Sequence, residues 1–204
     1  MHRARSNPGG GGCLWRRKVH LGGVVHADGS LGPEFANRAA QADGAYIALS
    51  RKVFGRADVQ VGTKLKAVRA FVESRLLYNA ATWQRARSYA PLEAVRRRVF
   101  ARVLGVKLED HVADKSLWAV AGTLPVEAVI RGRRLLYLAK VLTVAPPELW
   151  YLVASGSQAS SSWAGLIRED LCWLREQHIS FLALPSPAVG LSAWLQFVAD
   201  DVGR

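Results

Sequence analysis

The sequence predicts a mainly α fold: a helical bundle with a short N-terminal β strand or hairpin and a second, small helical module. Three observations predict it. Apolar residues recur at three- and four-residue spacing along most of the chain, which is the period of a helix with one buried face. The one β-branched stretch near the N-terminus is short and bounded by turn residues. Of the 204 side chains, 50% are hydrophobic and 22% charged, enough to bury a core and too apolar for disorder along the whole length.

Taken in order, residues 1–13 combine Pro8 with the run Gly9 to Gly12 and are expected to form a flexible leader. A helical module with an N-terminal strand is expected over 14–145, a linker over 146–162 and the small helical module over 163–204. His20-Leu21-Gly22-Gly23-Val24-Val25 reads as the strand or hairpin, with Asp28-Gly29 and Gly32-Pro33 as turn signals. From Glu34 to about Phe54, Phe35, Ala39, Ala42, Tyr46, Leu49 and Val53 mark a long amphipathic helix, weakest at Gly44. Thr63 is the N-cap candidate of the next helix, whose apolar stripe is Leu65, Val68, Val72 and Leu76. A third helix should begin near Pro91 and end at Gly105, with Leu92, Val95, Val99 and Val103 inward. A short helix over Asp114 to Ala121 ends at Gly122, and Pro125 opens another carrying Val126, Ile130, Leu138 and Val141. Pro146-Pro147 and the polar run Ala154 to Ser162 supply the linker. Trp163, Leu166, Ile167, Leu171 and Leu174 mark one further helix, and Leu191 to Val198 a last short one.

Charge divides the chain. Residues 1–110 hold 20 basic and 8 acidic side chains, and residues 111–204 hold 8 of each, so the first half carries the whole net charge of +12. A basic half beside a neutral one that contains Trp118, Trp150, Trp163, Trp173 and Trp194 predicts a polyanion partner for the first and packing or a protein partner for the second. Two cysteines, Cys13 and Cys172, exclude a disulfide-stapled scaffold. With no apolar stretch behind the N-terminal arginines, the expected location is intracellular, cytoplasmic or nuclear. Residues 177–199 lack Asp, Glu, Lys and Arg, but Pro185, Pro187 and Gly190 interrupt them, so a loop between packed helices is expected rather than a membrane span.

The order of several blocks carries a family resemblance. Lys18-Val19-His20-Leu21-Gly22, then Thr63-Lys64-Leu65, Ser74-Arg75-Leu76-Leu77-Tyr78-Asn79-Ala80-Ala81-Thr82-Trp83, Leu92-Glu93, Arg96-Arg97-Arg98, and Gly122 to Pro125 followed by Arg131-Gly132-Arg133-Arg134-Leu135 resemble the C-terminal part of non-LTR (LINE-like) retrotransposon reverse transcriptases. The resemblance covers about residues 15–142. It implies a primer-grip-like element at His20, Leu21 and Gly22, and a thumb in the helices that follow. His20 stands where the family usually has an aromatic residue, and Asn79 where it often has glycine. The family's catalytic palm precedes the Leu-Gly element and holds metal-binding aspartates, whereas no Asp or Glu precedes Leu21 here. Two-metal phosphoryl transfer needs such carboxylates. The resemblance therefore implies a palm-less reverse-transcriptase (RNA-directed DNA polymerase) fragment with no catalytic residue of its own and no cofactor, Mg²⁺ belonging only to an intact polymerase. Its residual role would be sequence-independent primer–template binding.

A thumb holds an RNA–DNA or DNA duplex by its phosphates, which takes Lys and Arg on a rigid face. Lys64, Phe71, Arg75 and Tyr78, at offsets 0, 7, 11 and 14, fall within roughly 60° on a regular helix. Phe71 and Tyr78 border the apolar stripe and read first as core. Arg98 and Arg102 share a face, while Glu93, four residues before Arg97, offers a helix-surface pair. The expected phosphate contacts are Lys64, Arg75, Arg98 and Arg102. No metal site is expected: Cys13, His20 and His26 lack a fourth ligand at short spacing, and Ala199-Asp200-Asp201 reads as a solvated helix end. Two readings compete with the thumb. One is a helical protein-interaction module working through the Trp-rich part, and the other is a retroelement relic without a role.

Overall fold

A computed structural model describes residues 17–20, 23–107, 110–156, 162–177 and 184–202. The fold is mainly helical. Strands β1 (Arg17–His20) and β2 (Gly23–His26) pair antiparallel, Arg17 opposite His26 and His20 opposite Gly23. After them come α1 (Gly32–Leu49), α2 (Val61–Ala67), α3 (Ser74–Leu76), α4 (Ala90–Leu104), α5 (Asp114–Ala121), α6 (Val126–Val144), α7 (Pro147–Gly156), α8 (Trp163–Gln177) and α9 (Leu191–Val202). The expected leader, 1–13, lies outside the described residues, as do Leu21 and Gly22 of the primer-grip-like element.

The long helix expected from Glu34 starts two residues earlier, with Pro33 in its first turn, where a missing N–H is harmless. It widens into a π-helical turn over Ser50–Phe54, which brings Tyr46 and Phe54 into a stacked pair 5.1 Å apart. The next helix begins at Val61 after Gln60, so Thr63 is not its cap. Between α2 and α3 the backbone is π-helical over Val68–Glu73. Wider winding turns later residues away from the regular 100° spacing on which the stripe of Lys64, Phe71, Arg75 and Tyr78 rests. Asn79 then adopts φ 58°, the left-handed conformation for which glycine is the default and asparagine the best-tolerated substitute. α4 and α5 end as expected, on Gly105 at φ 74° and Gly122 at φ 61°.

The main core gathers Phe35 and Ala42 of α1, Val68, Val72 and Leu76 of the second helical run, Leu92, Val99 and Phe100 of α4, Trp118 of α5, and Val126 and Ile130 of α6. A second core joins Leu138 and Leu142, from the far half of α6, to Ile167, Leu171, Trp194 and Leu195. One helix therefore serves both. The described residues of 163–204 do not enclose this core by themselves, because two of its buried leucines come from α6. The stretch expected as a linker holds α7 over Pro147–Gly156. Pro147 sits in its first turn, where proline starts a helix rather than breaking one.

Buried polar groups lock these elements together. Arg96 of α4 donates through Nε to Glu73 (2.5 Å), through Nη1 to the Leu124 carbonyl (2.7 Å) and through Nη2 to Thr123 Oγ1 (2.7 Å), and lies 4.9 Å from the Trp118 ring centroid. Arg134 donates to Asp170 at 2.6 Å, tying α6 to α8, and Trp163 Nε1 donates to the Ala81 carbonyl at 2.8 Å.

Candidate nucleic-acid interface

The arginines divide by what they touch. Those at junctions are committed to the fold. Besides Arg96 and Arg134, Arg69 donates to the carbonyls of Ala121 and Gly122, satisfying the C-terminal end of α5, where a cation also meets the negative end of the helix dipole. Arg133 does the same for the Leu77 carbonyl at 2.8 Å. Arg97 pairs with Asp114 and donates to the Val112 carbonyl, so it does not form the pair with Glu93 that spacing suggested. Glu93 instead accepts the Val126 N–H at 2.6 Å, placing a carboxylate at the positive end of α6.

Of the four expected phosphate contacts, Arg98 pairs with Asp43 of α1, and Arg102 lies exposed one turn on, 5.8 Å from the Tyr46 ring centroid. Lys64 is partly buried on α2, close enough to Asp58 to favour its carboxylate, though Arg56 is the larger influence there. Arg75 is exposed on α3. Among the described residues Lys64, Arg75 and Arg102 have no carboxylate within ion-pair distance. The structure thus sets Arg98 and Arg102 on the α4 surface beside α1, and Lys64 and Arg75 along the second helical run.

Phe71 and Tyr78 are not core residues. They are 51% and 49% exposed, because the π-helical segment turns Val68, Val72 and Glu73 inward and leaves Phe71 outside. Tyr78 is placed by a relay that begins in the hairpin. The Val24 N–H donates to Glu34 Oε2 at 2.6 Å, Arg38 Nε donates to Glu34 Oε1 at 2.6 Å, and the Arg38 guanidinium stands 4.5 Å from the Tyr78 ring centroid. Arg38 is only 2% exposed, so its stem is fixed by packing as well as by charge.

No cluster of three or more His, Cys, Asp or Glu placed to hold a metal occurs among the described residues. Cys13 lies outside them, and His26 Nδ1 donates to Asp28 at 2.5 Å. That bond, and above all the Ser30 N–H, hold the Asp28 carboxyl down to about 2. Sequence reasoning missed one concavity, a groove of about 780 Å³ lined by Tyr89, Glu93, Asp114, Trp118, Pro125 and Glu127, among others. Two of its carboxylates are engaged in ion pairs, Asp114 with Arg97 and Glu127 with Arg131, while Glu93 Oε1 is buried with no hydrogen-bond partner among the described residues. Burial pushes the Glu93 carboxyl above its ordinary range, against the Val126 N–H that lowers it.

Of the tryptophans expected to form a protein surface, the Trp150 side chain lies outside the described residues and the other four are largely inside. Trp118 and Trp194 are buried, and Trp163 and Trp173 are partly buried, meeting Tyr137 and Arg131 respectively. Nothing in the sequence flagged this, because a tryptophan fits a core and an interface equally well. Exposed apolar side chains lie elsewhere, among them Leu136, Tyr137 and Val144 on α6 and Leu149, Tyr151 and Leu152 on α7. No helix among the described residues is long and apolar enough to cross a membrane. No protein-family model, curated protein or solved structure matches the chain.

Proposed function

We propose that the chain is a sequence-independent nucleic-acid-binding module that holds a phosphate backbone on the basic half of a thumb-like helical bundle. One observation carries the reading. While the junction arginines are spent on protein acceptors, Lys64, Arg75 and Arg102 keep their charges at or near the surface with no carboxylate in ion-pair range among the described residues. A surface cation without a partner costs the fold little and remains available to a phosphate. The resemblance to non-LTR reverse transcriptases points the same way. Asn79, standing where that family often has glycine, takes the conformation glycine takes. The reading assigns no polymerase chemistry to this chain.

The test is fluorescence anisotropy of a labelled RNA–DNA primer–template at about 50 and 200 mM salt, because counterion release makes phosphate-driven binding fall steeply over that range. Arg75→Gln and Arg102→Gln should each weaken binding and lower the slope of log K against log salt by about 1. Full retention of affinity in a Lys64, Arg75, Arg98 and Arg102 charge reversal would remove the proposal. A second reading, a protein-docking surface, is favoured by the exposed Tyr137, Val144 and Leu149 around a depression of about 330 Å³, with Tyr151 and Leu152 also exposed on α7. Such binding would hardly respond to salt.

A further inference from the structure

We propose that the exposed ring of Phe71, one helical turn from Arg75, is a stacking platform for an unpaired base, so that the preferred ligand is a single strand or a duplex with an overhang. The inference rests on the nucleic-acid reading above and narrows it. A duplex offers its phosphates to Lys and Arg but hides its base faces in the stack, whereas an unpaired base presents a π-face that an aromatic side chain can cover. The second helical run and the residues just after it supply both groups. Phe71 and Arg75 are four residues apart, Arg75 and Tyr78 three, and all three are exposed.

A lone surface phenylalanine needs no explanation. Phe71 differs in how it reaches the surface. The helix that carries it buries Val68, Val72 and Leu76 and opens into a π-helical segment over Val68–Glu73, and such segments recur at functional sites. Tyr78, two residues past the end of α3, lies beside the Arg38 guanidinium that the buried Glu34 holds in place. A strand passing Phe71 would meet a ring and, four residues on, the cation of Arg75. Flat contact with bases and charge contact with phosphates are the two components of sequence-tolerant single-strand binding.

The full chain would be titrated by anisotropy against a labelled oligothymidylate of about 12 nucleotides and an abasic phosphodiester strand of equal length and charge. The oligothymidylate should bind at least about fivefold more tightly. Phe71→Leu should close that gap and Phe71→Trp preserve it, both variants melting like the parent because the side chain is exposed. Equal binding of the two strands with a steep salt dependence would overturn the stacking platform while leaving phosphate binding intact. A gap that survives Phe71→Leu would also overturn it, since the bases would then stack elsewhere. Absence of binding to either strand at about 50 mM salt would overturn both this inference and the reading beneath it.

Discussion

Arg96 shows how much can hang on one side chain in this fold. It is 1% exposed, and its three hydrogen bonds join the second helical run, α4 and the turn before α6. Removing one partner of such a pair strands the other charge in the interior, so Arg96→Met should cost about 3–5 kcal/mol in denaturant unfolding, and Arg96→Met with Glu73→Leu should recover much of it. The residue's burial was legible in principle. Arg96 stands four residues after Leu92 and four before Phe100, on the inward face, yet a run of three arginines reads as surface when only its charge is counted. Asp170 makes a second case, three residues after the buried Ile167. Burial pushes its carboxyl up to about 6, outweighing Arg134 and Arg131, which act in the opposite direction. The folded value lies above the ordinary 3.8, so the folded state holds the proton more tightly than the unfolded one. The stability this group adds is therefore full below about pH 4 and lost as pH rises through about 6. Urea titrations from pH 4 to 7.5 should show the wild type losing stability relative to Asp170→Asn across that window. A flat difference would place the Asp170 titration elsewhere.

At the scale of the element, helix ends were readable where the chemistry is local. Gly105 and Gly122 stop α4 and α5 because only a residue at ease with positive φ can turn the chain there. Gly105→Ala should therefore destabilise by about 1 kcal/mol even though nothing stands within 4 Å of the added carbon, since the cost lies in the backbone. Gly44, in the middle of α1, has open space and ordinary helical surroundings, so Gly44→Ala should stabilise by about 0.5–1 kcal/mol. Thermal melts of the two variants should move in opposite directions. The π-helical segments were not readable, because apolar periodicity tests only for the regular spacing. Phe71 and Tyr78 read as core on a regular helix yet stand exposed, while Val68, Val72 and Leu76 are buried as their spacing predicts: the stripe that decides burial survives the widened turn, and the flank beside it does not. The candidate interface was legible as a count of cations on the right helices. Which of them have no carboxylate in ion-pair range among the described residues, Arg75 and Arg102 rather than Arg96 and Arg97, depends on acceptors brought from other elements, and no window along one helix contains those.

For the whole molecule, the sequence suggests two modules joined by a polar linker, and α6 contributes to the cores on both sides of it. Val126 and Ile130 at one end belong to the main core, and Leu138 and Leu142 at the other to the second, with Arg134 between them bonded to Asp170. Outside α6, Trp163 donates to the Ala81 carbonyl and Arg85 pairs with Glu169, both across the same junction. Composition could not show this, since a linker rich in Ser says how the chain crosses a gap and nothing about whether its two ends pack together. A helix cannot keep one half ordered while the other loses its packing without exposing leucines and breaking backbone bonds, so unfolding of either core should draw in the other. The expected result is a single calorimetric transition whose van't Hoff enthalpy equals its calorimetric enthalpy. Arg134→Met tests the coupling directly. If the ionic link across α6 is what makes the cores cooperate, the variant should melt in two steps, the earlier one reporting loss of α8 and α9. If burial of Leu138 and Leu142 suffices, the melt should remain single and merely shift to lower temperature. Two transitions already present in the wild type would mean that α6 is shared in space but not in energy.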